Sequence, residues 1–167
     1  MKNTLVFKDN YIKEENKALE CLSDNLTSYT LADFLSQNYS IDMQTDPLIV
    51  SPFIKDWSNI PGKAEVLARP TSAKECAILL KSCEIYKIPI TISAGQTNLT
   101  GSATPQGGIV LSTSGLTAPD IRVDVQKREV ESAVGIPLEI MRKEVLIQTQ
   151  NQYYFVHEQV HQIFLLL

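Results

Sequence analysis

No stretch of the 167 residues approaches the roughly 20 consecutive apolar positions that a membrane-spanning helix needs, and the terminal IFLLL is far too short. The opening MKNTLVFKDNYIKEENK has no apolar run of signal-peptide length, which predicts a cytoplasmic protein. A basic block is missing too. The net charge is −4 and the pI about 5.2, which argues against nucleic acid or an anionic membrane as partner. Cysteine is scarce: Cys21, Cys76 and Cys83 are odd in number and widely spaced, which argues against a disulfide framework. Cys76 and Cys83 lie seven apart in a helical pattern and read as buried apolar thiols. The N-x-[ST] triplets at Asn25, Asn38 and Asn98 read as local polar sequence. There is no internal repeat and no low-complexity tract.

What is present is ordinary globular material. The chain is 44% hydrophobic and 20% charged, enough for one cored domain with a small appendage. Residues 1–45 read as a helical lead-in. Ala18, Leu19 and Leu22 in EENKALECLSDNL have helical spacing, and Thr30 is placed to cap a helix whose apolar side is Leu31, Phe34 and Leu35. DPLIVSPFIKDWSNIPGK, broken by Pro47, Pro52, Pro61 and Gly62, reads as an irregular connector.

From Ala64 the pattern changes. AEVLARP is a short apolar run closed by Pro70, hence a buried strand. Ser72 and Glu75 form a capping box that opens a helix to about Lys87, with Cys76, Leu79, Leu80 and Cys83 expected inward. PITIS follows as a second strand. Strand, helix, strand with tight joints is a βαβ unit, which implies a parallel pair. GIVLST, DIRVDV and REVESAV read as further strands, with a turn at Gln126-Lys127. Gly135-Ile136-Pro137 then leads into a helix, LEIMRKEVL. The expected fold is α+β, a βαβ unit with additional strands and more strands than helices.

Two stretches carry chemistry. The first is Ala94 to Gly101, A-G-Q-T-N-L-T-G, directly after a strand. Small residues let a backbone approach a ligand, successive N–H groups can form an anion-binding nest, and Thr97, Asn98 and Thr100 add neutral donors. No Lys follows as in a P-loop, and there is no G-x-G-x-x-G. On the residues alone, a diphosphate cradle and a plain surface turn both fit.

The segments DPLIVSPFIKDW, EVLARPTSAKECAILLKSCEIYKIPITIS, SAGQTNLTGSATPQGGIVLS and VESAVGIPLEIMRKEV, taken together, resemble the FAD-linked oxidases, whose flavin domain is of the p-cresol methylhydroxylase (PCMH) type. The resemblance is closest to the branch of glycolate oxidase, D-lactate dehydrogenase and D-2-hydroxyglutarate dehydrogenase. It covers roughly residues 46–155 and implies the N-terminal half of an FAD-binding domain. By the same resemblance Ser93, Ala94, Gly95, Gln96, Thr97, Asn98, Leu99, Thr100 and Gly101 match the loop that wraps the FAD diphosphate. Pro70 matches the proline of R-P-x-[ST] near the cofactor, and Gly135 the glycine that opens the following helix. Many members have Arg or Gly at Ser93 and Gly or Arg at Gln96. No His or Cys lies between Ser93 and Gly108, so FAD is expected to be held non-covalently.

The second stretch is the tail. His157-Glu158-Gln159-Val160-His161 fits H-E-x-x-H, and a helix would align the two His. A zinc hydrolase needs a third ligand, yet these are the only two His and six residues follow His161. The expectation is a chance match with no metal. The family pattern stops at about Phe155, so 156–167 reads as an unrelated tail of a truncated or frame-shifted product. The family's substrate and catalytic residues belong to segments not matched here, so no catalytic residue is named. The implied function is that of an FAD-binding oxidoreductase fragment related to 2-hydroxy acid dehydrogenases, with a separate chain as one way to complete the flavin domain. A flavin-free interaction remnant is the alternative.

Overall fold

The computed structural model describes residues 26–154; Cys21, the EENKALECLSDN pattern and the H-E-x-x-H tail lie outside them. Two compact units divide at Thr113/Ser114.

The first unit opens with α1 (Ser28–Tyr39). Its N-cap is Thr27, not Thr30. Thr27 Oγ1 accepts from Thr30 N–H at 3.2 Å, and Thr30 Oγ1 accepts from Thr27 N–H at 2.9 Å. Thr30 therefore sits one turn inside, as the reciprocal arm of a capping box. Leu31 and Leu35 are fully buried, and Phe34 packs partly buried beside them. The helix closes at Ser40 in the left-handed conformation. A short strand follows, β1 (Asp42–Gln44), in a stretch expected to be helical lead-in. Three residues are too few for a period-two signal to show; pairing with a neighbour makes them a strand. The connector holds α2 (Pro47–Val50), capped by Asp46 and carrying proline at its start, then a 3₁₀ turn over Ser51–Phe53.

Next come β2 (Val66–Arg69), α3 (Ala73–Tyr86), β3 (Ile90–Ser93) and β4 (Ile109–Ser112). The sheet order is β1-β2-β4-β3, with β1 antiparallel to β2 and the other three parallel. The βαβ expectation needs one correction: β2 and β3 run parallel but are not neighbours, because β4 inserts between them. Burial gives the reason. All four residues of β4 are buried, whereas β3 is only partly covered. The strand that is apolar on both faces takes the centre, and the more polar one takes the edge. Alternation divides the two faces. Val66, Ala68, Ile109 and Leu111 pack with Leu31, Leu35, Ile78, Leu79 and Cys83 of the helices. Leu67 and Val110 point the other way, onto Val50, Phe53 and Ile54 of the connector.

In α3, Ser72 Oγ accepts from Glu75 N–H at 3.2 Å. The Glu75 carboxylate takes the N–H of Thr71, one residue before the cap. The buried stripe is Ile78, Leu79, Ser82 and Cys83. Cys76 is only partly buried, and Leu80, expected inward, is 39% exposed. The stripe is rotated from the expected one because Ser82 can face the core: its hydroxyl returns to the Ile78 carbonyl at 2.7 Å, so its burial leaves no orphan donor. Burial pushes the Cys83 thiol up to about 12 and the Cys76 thiol, helped by the Glu75 charge, up to about 11. Both are apolar packing elements.

The second unit holds the hairpin β5 (Arg122–Asp124) and β6 (Glu129–Glu131), then α4 (Leu138–Gln148). The hairpin is its own two-stranded sheet, and its turn places Arg128 at φ 57°. Gln148 ties the helix to β5: its amide donates to the Ile121 carbonyl at 3.0 Å, and its oxygen accepts from Val123 N–H at 3.2 Å. The described residues hold six strands and four α-helices, and none of the helices is long and apolar enough to cross a membrane.

Candidate functional site

All three parallel strands of the first unit end on the same side of the sheet. Pro70, fully buried, follows β2, and the loop 94–102 leaves from the end of β3. The carboxyl end of a parallel sheet is where ligands meet open α/β folds. Gly135 belongs to the second unit, where its N–H bonds to the Leu116 carbonyl at 2.8 Å.

The loop begins at Ser93, whose side chain is fully buried with no hydrogen-bond partner for Oγ. Thr104, just past the loop, is a second buried hydroxyl in that condition. Two orphaned hydroxyls flanking one loop are polar capacity that the protein itself does not use. The main chain carries more. Among the described residues, no oxygen accepts from the N–H groups of Gly95 through Ser102. The first main-chain N–H groups with partners are those of Ala103, to Asp56 at 3.3 Å, and Thr104, to the Gly101 carbonyl at 3.0 Å.

The side chains of the loop do different work from the one expected of donors to a ligand. Gln96, held at φ 54°, donates its amide to the Pro52 and Lys55 carbonyls at 3.0 and 2.7 Å. Asn98 donates to the Asp56 carboxylate and to Ser102 Oγ. Thr100 Oγ1 lies 3.3 Å from Ser102 Oγ, while Ala94, Gly95, Thr97 and Leu99 are exposed. Gly101, at φ 75°, sits in the left-handed region, and a Cβ there would stand 2.6 Å from Ile60 Cδ1 and push that side-chain tip aside. Gly95 is the opposite case. Its open side meets nothing closer than Thr97 Cγ2 at 3.9 Å.

The anchor beneath is Asp56, which the sequence reading passed over as part of the connector. It is buried, with its carboxylate accepting from Ser58 Oγ, Ser58 N–H at 2.9 Å, Asn98 and Ala103 N–H. The Ser58 hydroxyl foremost, then the other donors, outweigh burial and hold it at about 2, below its ordinary 3.8. The only local trace in the sequence is Asp56-x-Ser58, an Asx-turn pattern; its other partners, Asn98 and Ala103, lie more than forty positions away.

A neutral loop with many unspent N–H groups, small residues on its open side and no cation from Ser93 to Gly108 suits an anion spread over several oxygens. The model of the "FAD binding domain" family matches residues 64–153, more than half of the chain. The chain belongs to the FAD-binding domain family.

Its sequence is similar to a D-lactate dehydrogenase of Archaeoglobus fulgidus, 32% identical over 104 residues, which are 62% of this chain and 21% of that protein. It is also similar to a D-lactate dehydrogenase of Anaerostipes hadrus, 44% identical over 61 residues, 35% of this chain and 13% of that one. Among solved structures, 6-hydroxy-D-nicotine oxidase from Arthrobacter nicotinovorans superposes with a TM-score of 0.53, at 22% identity, over 62% of this chain and 23% of its own. At that identity the likeness speaks to the fold. The chain spans about a fifth or less of the length of the curated relatives it matches. The resemblance to FAD-linked oxidases of the PCMH type is borne out, and FAD is the cofactor of the family. The residues present fit it, since a run of unspent main-chain N–H groups beside an open glycine is what a diphosphate requires. No cluster of three potential metal-ligating side chains occurs among the described residues.

Proposed function

We propose that the loop Ser93–Gly101 holds the diphosphate of FAD through its main-chain N–H groups, without a covalent link. The intact protein to which this segment belongs would then be a flavin-dependent dehydrogenase of 2-hydroxy acids. The observation that carries the reading is the run of N–H groups from Gly95 to Ser102 that find no acceptor among the described residues, at the carboxyl end of a parallel sheet. Gly95 keeps the approach open. Thr97 and Thr100 line the loop with hydroxyls, and Leu99, 68% exposed, gains cover once a ligand lies across it. Pro70 and Gly135 keep the roles that the family resemblance implies, beside the cofactor and opening α4.

Bound flavin supplies hydride acceptance; this segment's part is to bind and orient. Substrate contacts belong to portions of the relatives that the chain does not span, so a further polypeptide segment completes the flavin domain and brings the acid-binding residues. Residues 46–155 are taken as the flavin-domain portion. The names of the two D-lactate dehydrogenases support a 2-hydroxy acid over other flavin substrates.

Titrating the 167-residue chain with FAD, followed by visible absorbance and flavin fluorescence, tests the reading. Saturable binding that ADP displaces supports a diphosphate cradle. Absence of binding, or binding that ADP leaves untouched, rejects it.

A further inference from the structure

The loop is exposed, carries a left-handed residue at Gln96, and presents N–H groups that find no acceptor among the described residues. Such a segment relaxes into ordinary turns unless something holds it. The structure shows what does. Four hydrogen bonds join it to the connector 52–58: two from the Gln96 amide to the Pro52 and Lys55 carbonyls, one from the Asn98 amide to Asp56, and one from Ala103 N–H to Asp56. Every one uses a side chain or the residue just after the loop, so the main-chain donors between remain unspent.

We propose that Asp56 is a positioning residue for the cofactor: its carboxylate clamps Asn98 and Ala103 so that the N–H groups between Gly95 and Ser102 stay turned to the FAD diphosphate. The inference rests on the reading of the loop as a diphosphate cradle. A carboxylate is the group this place needs. It receives Ser58 N–H, Ser58 Oγ, Asn98 Nδ2 and Ala103 N–H, four donors for about four lone-pair sites. An asparagine would turn an NH₂ against donors and lose half of that capacity. Asp56 touches no cofactor atom in this scheme and acts through Asn98 and Ala103.

The test uses the full chain with FAD and ADP as probes. Asp56→Asn and Asn98→Ala each weaken both ligands about tenfold or more. The double variant is no weaker than the worse single one, because both cut the same contact. Thermal melting in the absence of ligand separates this from general loss of structure: Asn98 lies on the loop, and its variant still melts cooperatively, somewhat below wild type because Asp56 loses one of its four donors. If Asp56→Asn fails to fold, Asn98→Ala carries the test alone. FAD affinity within twofold of wild type in Asn98→Ala, with Gly95→Leu still weakening binding roughly a hundredfold, overturns the positioning role and leaves the cradle standing. A wild-type chain that takes neither FAD nor ADP, or a Gly95→Leu variant that binds normally, overturns the cradle and the positioning role with it.

Discussion

Gly95→Leu separates the ligand's needs from the fold's. A Cβ at Gly95 meets only Thr97 Cγ2 at 3.9 Å, and no left-handed φ is required there. The substitution therefore leaves stability within about 0.5 kcal/mol of wild type, with a small gain possible from the stiffer unfolded chain. On the cradle reading, the added side chain would occupy the side from which a phosphate oxygen reaches the N–H groups. Loss of two hydrogen bonds to a charged ligand, at about 1.5 kcal/mol each, is about 3 kcal/mol, or roughly a hundredfold in affinity. Gly101→Ala is the paired control. It forces a side chain into a φ of 75° and against Ile60 Cδ1 at 2.6 Å. It should lower stability by about 1–2 kcal/mol, since the left-handed position is costly while the Ile60 tip can move aside. Flavin titration and thermal melting of both variants read the two effects. Gly95→Leu with wild-type FAD affinity and a wild-type melt would refute the cradle, because nothing in the fold would then excuse the missing effect.

Other expectations follow from the same geometry. Gly108→Ala puts a methyl 2.0 Å from the Pro89 carbonyl oxygen at φ 74°, between paired strands that cannot part; a loss of about 2–4 kcal/mol in chemical denaturation is expected. Ser72→Ala removes the acceptor for Glu75 N–H and should cost about 1 kcal/mol, read as a lower urea midpoint with unchanged slope. Asp56, held at about 2 against an ordinary 3.8, contributes stability that is complete above about pH 4 and lost as pH falls through about 2. Melting of the wild type should drop over that window more than melting of Asp56→Asn, and parallel acid profiles would contradict the assignment.

Much of the first unit was legible because its signals are local. Ser72 and Glu75 cap a helix by contacts three and four residues apart, and Pro70 closes a run that is apolar on both faces. The A-G-Q-T-N-L-T-G composition marked the loop, since small residues and an abrupt strand end are visible in one dimension. Less legible were features set by competition among elements. Leu80 and Ile78 are equally apolar, and only packing against α1 and the sheet decides that Ile78 and Ser82 face inward.

The sequence by itself determined a strand, a capped helix, a second strand and a cation-free glycine loop, which follow from propensity and turn chemistry within short windows; that they belong to an FAD-binding domain came from the family resemblance of the whole stretch, which the family match bears out. Tertiary structure alone decided that β4 lies between β2 and β3, that Asp42–Gln44 is a strand, and that Gln96 and Asn98 face the connector. The physical reason is range. Register between strands and the grip of Asp56 on a loop more than forty residues away depend on which surfaces are buried together, and no short window contains both partners.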